Sequence, residues 1–142
     1  MPIFNSSYQK LLQLGFAPMI LIALVTGCTT SGKNLPVTEA RATMADHVQE
    51  ATMRVESFFF EPSRIEVTVN VPVRLTLKSG AFIIPHNFSI HAPEAGIEID
   101  ADVGHGKTVV VEFTPTKPGE YSFYCDKDSH AKKGMTGTIV VK

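Results

Sequence analysis

Residues 121–141 read YSFYCDKDSHAKKGMTGTIVV, and this segment sets the fold and the chemistry expected of the chain. It spaces Cys125, His130 and Met135 as C-x4-H-x4-M, and the residues on both sides alternate between apolar and polar. Alternation with a period of two is typical of half-buried β-strands. It places Cys125 and Met135 at strand ends on the apolar face, with His130 in the loop between them. The segment therefore predicts a strand–loop–strand unit that carries three possible metal ligands.

The same alternation extends over residues 53–142, which contain about eight short stretches of this kind separated by turn-rich segments. That number of short strands with regular turn signals is typical of an all-β sandwich or small barrel with one core. We predict strands at 53–60, 65–71, 73–77, 86–91, 97–100, 107–113, 119–125 and 136–142.

The composition of the chain excludes several classes of protein. The 142 residues suffice for one globular domain. With 13 basic and 14 acidic residues the formal charge is −1, so the chain lacks the positive charge that binding to nucleic acid requires. The sequence contains neither the haem-attachment motif C-x-x-C-H nor the dinucleotide motif G-x-G-x-x-G. We therefore expect a carrier rather than an enzyme, and no nucleic-acid partner.

The first 27 residues have the pattern of an export signal. Lys10 is followed by an apolar run over 11–24, which is shorter than the roughly 20 residues that a membrane-spanning helix needs. Residues 25–28, VTGC, resemble the lipobox of bacterial lipoproteins, in which the cysteine is lipidated. We expect a signal peptide over 1–27 and an exported domain, in the periplasm or at the cell surface, tethered to a bacterial membrane by lipid on Cys28. A membrane-spanning anchor is the alternative.

Residues 28–52 have a different pattern from the rest of the chain. A small polar segment follows the cysteine, and apolar residues then recur at intervals of three and four. That spacing is typical of an amphipathic helix. We expect 28–52 to be the lipidated cysteine and a spacer, and the domain to begin at 53. The spacer would contain a short helix through Val37, Ala40, Met44, Val48 and Ala51.

A second histidine, His86, lies upstream in phase with two apolar residues that follow it, so it points into the same core as Cys125 and Met135. Two imidazoles, one thiolate and one thioether at the end of a β-sandwich are the ligand set that copper takes in one-electron transfer. We predict one copper ion bound by His86, Cys125 and His130, with Met135 as the weak axial ligand.

The other histidines carry less information. His91 follows His86 at an odd interval and therefore lies on the opposite face of its strand, and His105 lies between two glycines in a turn-like segment. We expect both to be solvated. A second metal site at His91 or His105, with Glu94, Glu98 or Asp102, is the alternative.

Across residues 53–142 the sequence resembles the cupredoxins, the type 1 or blue copper proteins. Phe58-x-Phe60-x-Pro62 resembles the opening strands of many bacterial members. Pro85-His86-Asn87 resembles the upstream ligand motif of plastocyanin-like proteins, and residues 119–125, GEYSFYC, resemble their ligand-loop strand.

The resemblance implies a Greek-key β-sandwich in which His86, Cys125 and His130 are equatorial copper ligands and Met135 is axial. It also implies that Asn87 hydrogen-bonds near the cysteine loop and fixes it. One feature departs from plastocyanins, which have two residues between the cysteine and the histidine. This chain has four, a spacing closer to auracyanins and phytocyanins.

Together these patterns predict a membrane-tethered, monomeric blue copper protein that carries single electrons outside the cytoplasm. Its donor and acceptor would be redox proteins, such as a cytochrome, an oxidase or a reductase. The first alternative is a copper-binding protein of copper delivery or homeostasis. The second is a β-sandwich interaction module without metal, which the presence of all four ligand types disfavours.

Overall fold

The computed structural model describes residues 36–142, so the signal peptide expected over 1–27 and the lipidation expected at Cys28 lie outside the described residues. Within this part of the chain no helix is long and apolar enough to cross a membrane. Regular structure consists of two single 3-10 turns, Pro93–Ala95 and Ala131–Lys133, and of eleven strands. The strands are β1 (Glu39–Arg41), β2 (Thr43–Ala45), β3 (Val48–Glu56), β4 (Phe59–Glu61), β5 (Arg64–Val67), β6 (Val73–Ser79), β7 (His86–Ala92), β8 (Ile97–Val103), β9 (Thr108–Phe113), β10 (Gly119–Tyr124) and β11 (Thr136–Val141).

The strands form two sheets with a shared apolar core, which confirms the expected all-β sandwich. One sheet has the order β1-β5-β11-β10-β7-β8, and the other has the order β2-β3-β6-β9 with β4 paired to β3. The structure has three strands more than we expected. Two of them, β1 and β2, lie where we expected the spacer helix, and a turn separates β4 from β3.

The helix expected between residues 37 and 52 is wrong, because these residues form strands in the structure. Asp46 and His47 both have positive φ, 47° and 68°, and they join β2 to β3. A two-residue loop with two positive φ values is the turn that matches the twist of an antiparallel hairpin. Val37 and Met44 are exposed, so the apolar spacing does not mark a buried helix face. A short helix without such a face is marginal, whereas strand pairing satisfies the backbone.

β3 runs across position 53, at which we expected the domain to begin. Gln49 anchors this strand to the rest of the domain. The side chain is buried, its Nε2 donates to the carbonyl oxygens of Thr68 and Val71 at 3.0 and 3.1 Å, and its Oε1 accepts from the Thr68 amide at 2.6 Å. A buried amide with three partners is fully compatible with a core position. The segment is thus part of the sandwich.

An aromatic cluster packs the core below one end of the sandwich. The ring of Phe60 lies edge-on to those of Phe88 and Phe123, at centroid distances of 6.0 and 5.2 Å, and Phe88 and Phe123 are 4.9 Å apart. Edge-to-face and tilted pairs at these distances contribute beyond the apolar area they bury. Since Phe88 and Phe123 lie two residues from His86 and Cys125, the cluster supports the strand ends that carry these two side chains.

Candidate metal centre

Two neighbouring antiparallel strands bring the first two candidate ligands together. His86 is the first residue of β7, and Cys125 directly follows β10. In the register of these strands Tyr124 pairs with Ser89, so the start of β7 lies beside the end of β10. His130 comes from the loop after β10 and precedes the 3-10 turn Ala131–Lys133.

The donor atoms of these three residues converge on one point. His86 Nδ1 and His130 Nδ1 are 3.2 Å apart, and the Cys125 Sγ lies 3.4 Å from His130 Nδ1 and 4.0 Å from His86 Nδ1. A point equidistant from three atoms at these separations is about 2.1 Å from each, which is in the range of bonds from a divalent metal to imidazole nitrogen and thiolate sulfur. The three side chains therefore fit a metal ion.

Met135 lies in the same part of the fold and completes the expected set. Its side chain is fully buried, its amide donates to the carbonyl oxygen of His130, and its carbonyl oxygen accepts from the Cys125 amide, both at 3.1 Å. These backbone hydrogen bonds close the ligand loop on itself. The cluster His86, Cys125, His130 and Met135 is typical of a type 1 copper site, because thiolate, imidazole and thioether are the donors that copper prefers.

Asn87 connects β7 to the cysteine loop through a partly buried hydrogen-bond network. Its Oδ1 accepts from the Asp126 amide at 2.9 Å, and its own amide lies 3.5 Å from the Cys125 Sγ. Its Nδ2 donates to Ser89 Oγ at 2.9 Å and to the Asp100 carboxylate at 2.8 Å. Ser89 and Asp100 were not among the site residues expected from the sequence. Only the register of β7 with β8, which pairs these two residues, shows that they meet.

The environment of His86 favours a neutral imidazole. Burial and the neighbouring His130 ring both lower the pKa of His86. Its Nε2 is also buried and has no hydrogen-bond partner among residues 36–142. A neutral ring keeps a lone pair available for a metal ion, and metal binding competes with fewer protons. With no acceptor at Nε2, the ring is oriented by packing.

Part of that packing comes from Phe58, a third residue that sequence spacing did not place at the site. It lies in the turn between β3 and β4, inside the strand expected over 53–60, and has a φ of 73°. Its ring is edge-on to the rings of His130 and His86, at centroid distances of 5.0 and 6.3 Å. No sequence signal marks this turn, because phenylalanine rarely adopts positive φ.

The remaining histidines of the described region lie elsewhere, as expected. His91 is exposed and lies 3.2 Å from the carboxylate of Glu98, while the Nδ1 of His105 lies 2.6 Å from the carbonyl oxygen of Ala81. In residues 36–142 the metal-ligand cluster described above is the only grouping of three His, Cys, Asp or Glu side chains with this geometry. No such grouping in this part of the chain includes His91 or His105, the residues of the alternative second metal site.

Comparison with known proteins agrees with this geometry. The sequence model of the family described as "Cupredoxin-like domain" matches residues 18–141. No curated protein matches the chain significantly.

Several solved structures share the fold. A copper-binding protein in its apo form is 24% identical with a TM-score of 0.58, over 75% of this chain and 100% of that one. Reduced auracyanin from Roseiflexus castenholzii is 19% identical with a TM-score of 0.56, over 70% and 99%. The metal-binding domain of the Cu(I)-exporting P-type ATPase of Streptococcus pneumoniae, with Cu(I), is 18% identical with a TM-score of 0.58, over 75% and 98%.

At these identities the structural likeness establishes the fold alone, whereas the family model covers most of the chain. The chain belongs to the family of cupredoxin-like domains, and its clustered His, Cys, His and Met side chains form a type 1-like copper site.

Proposed function

We propose that this protein is a blue copper electron carrier, held outside the cytoplasm at a bacterial membrane by lipid on Cys28. The observation that carries the proposal is the convergence of two imidazole nitrogens and one cysteine sulfur, 3.2 to 4.0 Å apart, in a buried site. Copper bound there would supply a one-electron couple between Cu(I) and Cu(II).

The chain's own contribution is to hold these donors in place. The backbone hydrogen bonds of Met135 close the loop, and the side chain of Asn87 fixes its first residue, Asp126. Donors that are fixed by strand ends and hydrogen bonds keep one geometry in both oxidation states, so that little rearrangement accompanies the loss or gain of an electron. Burial excludes water from the site.

The electrons would pass to and from other redox proteins, such as a cytochrome, an oxidase or a reductase, and the carrier would act as a monomer. His130 is the most exposed of the four ligands, at 4%, so it is the ligand nearest to a docked partner. The loop around it is rich in charge. Lys127 is paired with Asp102 at 2.8 Å, while Lys132 and Lys133 lie exposed in the last turn before Met135.

Copper delivery is the second candidate. The buried thiolate and thioether are soft donors that also suit Cu(I) alone. A domain of the same fold, in the Streptococcus pneumoniae ATPase, holds Cu(I). The two candidates differ in whether the ion stays in the protein when it is reduced.

The decisive experiment is visible absorption spectroscopy of the copper-loaded protein and of its Cys125→Ser variant, with Cys28→Ser as the matched control. A carrier should show an intense thiolate-to-copper band that is lost in Cys125→Ser and kept in Cys28→Ser. The band should bleach on reduction and return on oxidation in the presence of a Cu(I) chelator. Loss of copper to the chelator on reduction would favour delivery. A protein that bound no copper would refute both functions.

The membrane tether is tested separately. Cys28→Ser should move the protein from the membrane fraction to the soluble fraction of the cell envelope, and mass spectrometry of the wild-type protein should show the lipid on residue 28. An unmodified Cys28 in the membrane fraction would contradict lipidation and favour a spanning anchor.

A further inference from the structure

Phe58 lies against both histidine ligands. Its ring is edge-on to the His130 ring at 5.0 Å and to the His86 ring at 6.3 Å, with interplanar angles of 75° and 90°. The core cluster of the sandwich includes Phe60, Phe88 and Phe123 but not Phe58. Phe58 therefore packs on the metal site and not in the core.

Two further observations concern Phe58: its backbone conformation is unfavourable, and a lysine side chain packs on its ring. Phe58 adopts a φ of 73°, which is unfavourable for any bulky side chain and is normally left to glycine or asparagine. The Nζ of Lys133 lies 4.2 Å from the centre of the Phe58 ring, in cation–π geometry. The strained backbone persists while the ring is clamped between the histidine rings and this lysine.

The four ligands are almost completely buried. The exposed fractions are 0% for Cys125 and Met135, 1% for His86 and 4% for His130, so His130 is the ligand that solvent reaches most. Phe58 contacts the ring of that residue. A metal ion or reagent that approaches the donors past His130 therefore passes close to the half-buried Phe58 ring.

We propose that Phe58, held by Lys133, is the cover that controls exchange of the copper ion, so that copper enters or leaves only when the ring moves aside. This inference rests on the proposed function in that it requires the site to bind copper. A cover of this kind suits a carrier, which must hold its copper through both oxidation states.

The test uses the full chain in a Cys28→Ser background, so that Cys125 is the one thiol. Phe58→Gly removes the ring and also suits the positive φ, so it should fold. Lys133→Met removes the cation at an exposed position. Phe82→Ala is the matched control, since Phe82 is a 77% exposed ring that contacts His105 and none of the ligands. Two rates are measured: the reaction of Cys125 in the metal-free protein with an aromatic disulfide reagent, and the transfer of Cu(I) from the loaded protein to a chelator.

Both rates should rise about tenfold in Phe58→Gly, a change that corresponds to about 1.4 kcal/mol and matches the size of aromatic edge contacts. They should rise less in Lys133→Met and stay unchanged in Phe82→Ala. Wild-type rates in a folded Phe58→Gly, or an equal rise in Phe82→Ala, would overturn the proposal. If Phe58→Gly unfolds, unchanged rates in Lys133→Met would overturn it.

The two readouts separate this inference from the proposed function. Thiol labelling needs no metal, so a protein that failed to bind copper would refute the proposed function while the labelling rates still decided whether Phe58 covers the site. Faster labelling with unchanged copper transfer would overturn the inference, since the cover would then lie off the path of the metal.

Discussion

Replacing Asn87 with alanine should weaken the fold measurably, because the side chain ties three parts of the chain together. It donates to Ser89 Oγ at 2.9 Å and to the Asp100 carboxylate at 2.8 Å, and it accepts from the Asp126 amide at 2.9 Å. Each such bond contributes about 0.5–1.5 kcal/mol net. Asp100 and Asp126 are exposed and can bind water in the variant, so we expect a total loss of about 2–3 kcal/mol.

Urea unfolding of the metal-free protein measures this loss. For a domain of this size, with a slope of about 1–1.5 kcal/mol per M, the midpoint of Asn87→Ala should fall by about 2 M. The matched control is Asp100→Asn, which keeps an acceptor oxygen and removes only the charge; it should change stability by less than about 1 kcal/mol. A midpoint of Asn87→Ala within about 0.3 M of the wild type would refute the reasoning. An equal loss of stability in Asp100→Asn would show that the loss comes from the charge of Asp100 and not from the hydrogen bonds of Asn87.

Three further predictions follow from the core and the ligands. Gly137→Ala should destabilise the protein by about 1–3 kcal/mol in urea unfolding, because a Cβ at this position would overlap a core ring and a backbone carbonyl. Gly104→Ala is the control and should change stability little, since its Cβ would meet only one lysine methylene, at 3.6 Å. Equal losses in the two variants would contradict the overlap at Gly137. The pKa of His86 is lowered in the folded state, so this group should stabilise the metal-free protein fully above about pH 6.5. Stability should fall as the pH falls below that value, because the unfolded ring then binds a proton that the folded ring does not. Thermal melts should show this dependence reduced in His86→Gln and kept in His91→Gln. Met135→Gln should keep copper and lower the reduction potential, because an amide oxygen is a harder donor that favours Cu(II), and an unchanged potential in voltammetry would contradict the axial assignment.

The ligand set was predictable because it depends on local spacing and parity. Cys125, His130 and Met135 lie within eleven residues, and a period of two suffices to point His86 into the core. Most strands of 53–142 were predictable for the same reason, but the turn that divides the strand expected over 53–60 was not. What these patterns do not contain is the pairing of one strand with another. The contact of Asn87 with Asp100 depends on that pairing, and so does the way in which Asn87 fixes the cysteine loop.

The errors arose where local patterns compete with partners that are distant in sequence. The apolar spacing of 37–52 is compatible with a helix, but Gln49 finds its hydrogen-bond partners in Thr68 and Val71, about twenty residues away. Those contacts stabilise the strand, and the sequence of 37–52 alone does not predict them. Phe58 is a similar case, because the interactions that hold it in an unfavourable backbone conformation come from the two histidines and from Lys133. Residues that act through distant partners are those that sequence patterns describe least well.

The position of the site relative to the core determines what the metal does for the fold. Phe60, Phe88 and Phe123 pack beneath the ligands, and the ligand loop is closed by its own backbone hydrogen bonds. The core and the loop are held by contacts between protein atoms alone, so we expect the metal-free chain to fold, unlike small domains whose metal supplies their folding free energy. The free energy of copper binding should then add to the stability of this fold, because a ligand that binds only the native state stabilises that state further. Copper should accordingly raise the thermal midpoint of the wild type in a concentration-dependent manner and leave the midpoint of Cys125→Ser nearly unchanged. A metal-free protein without a cooperative thermal transition would contradict this view.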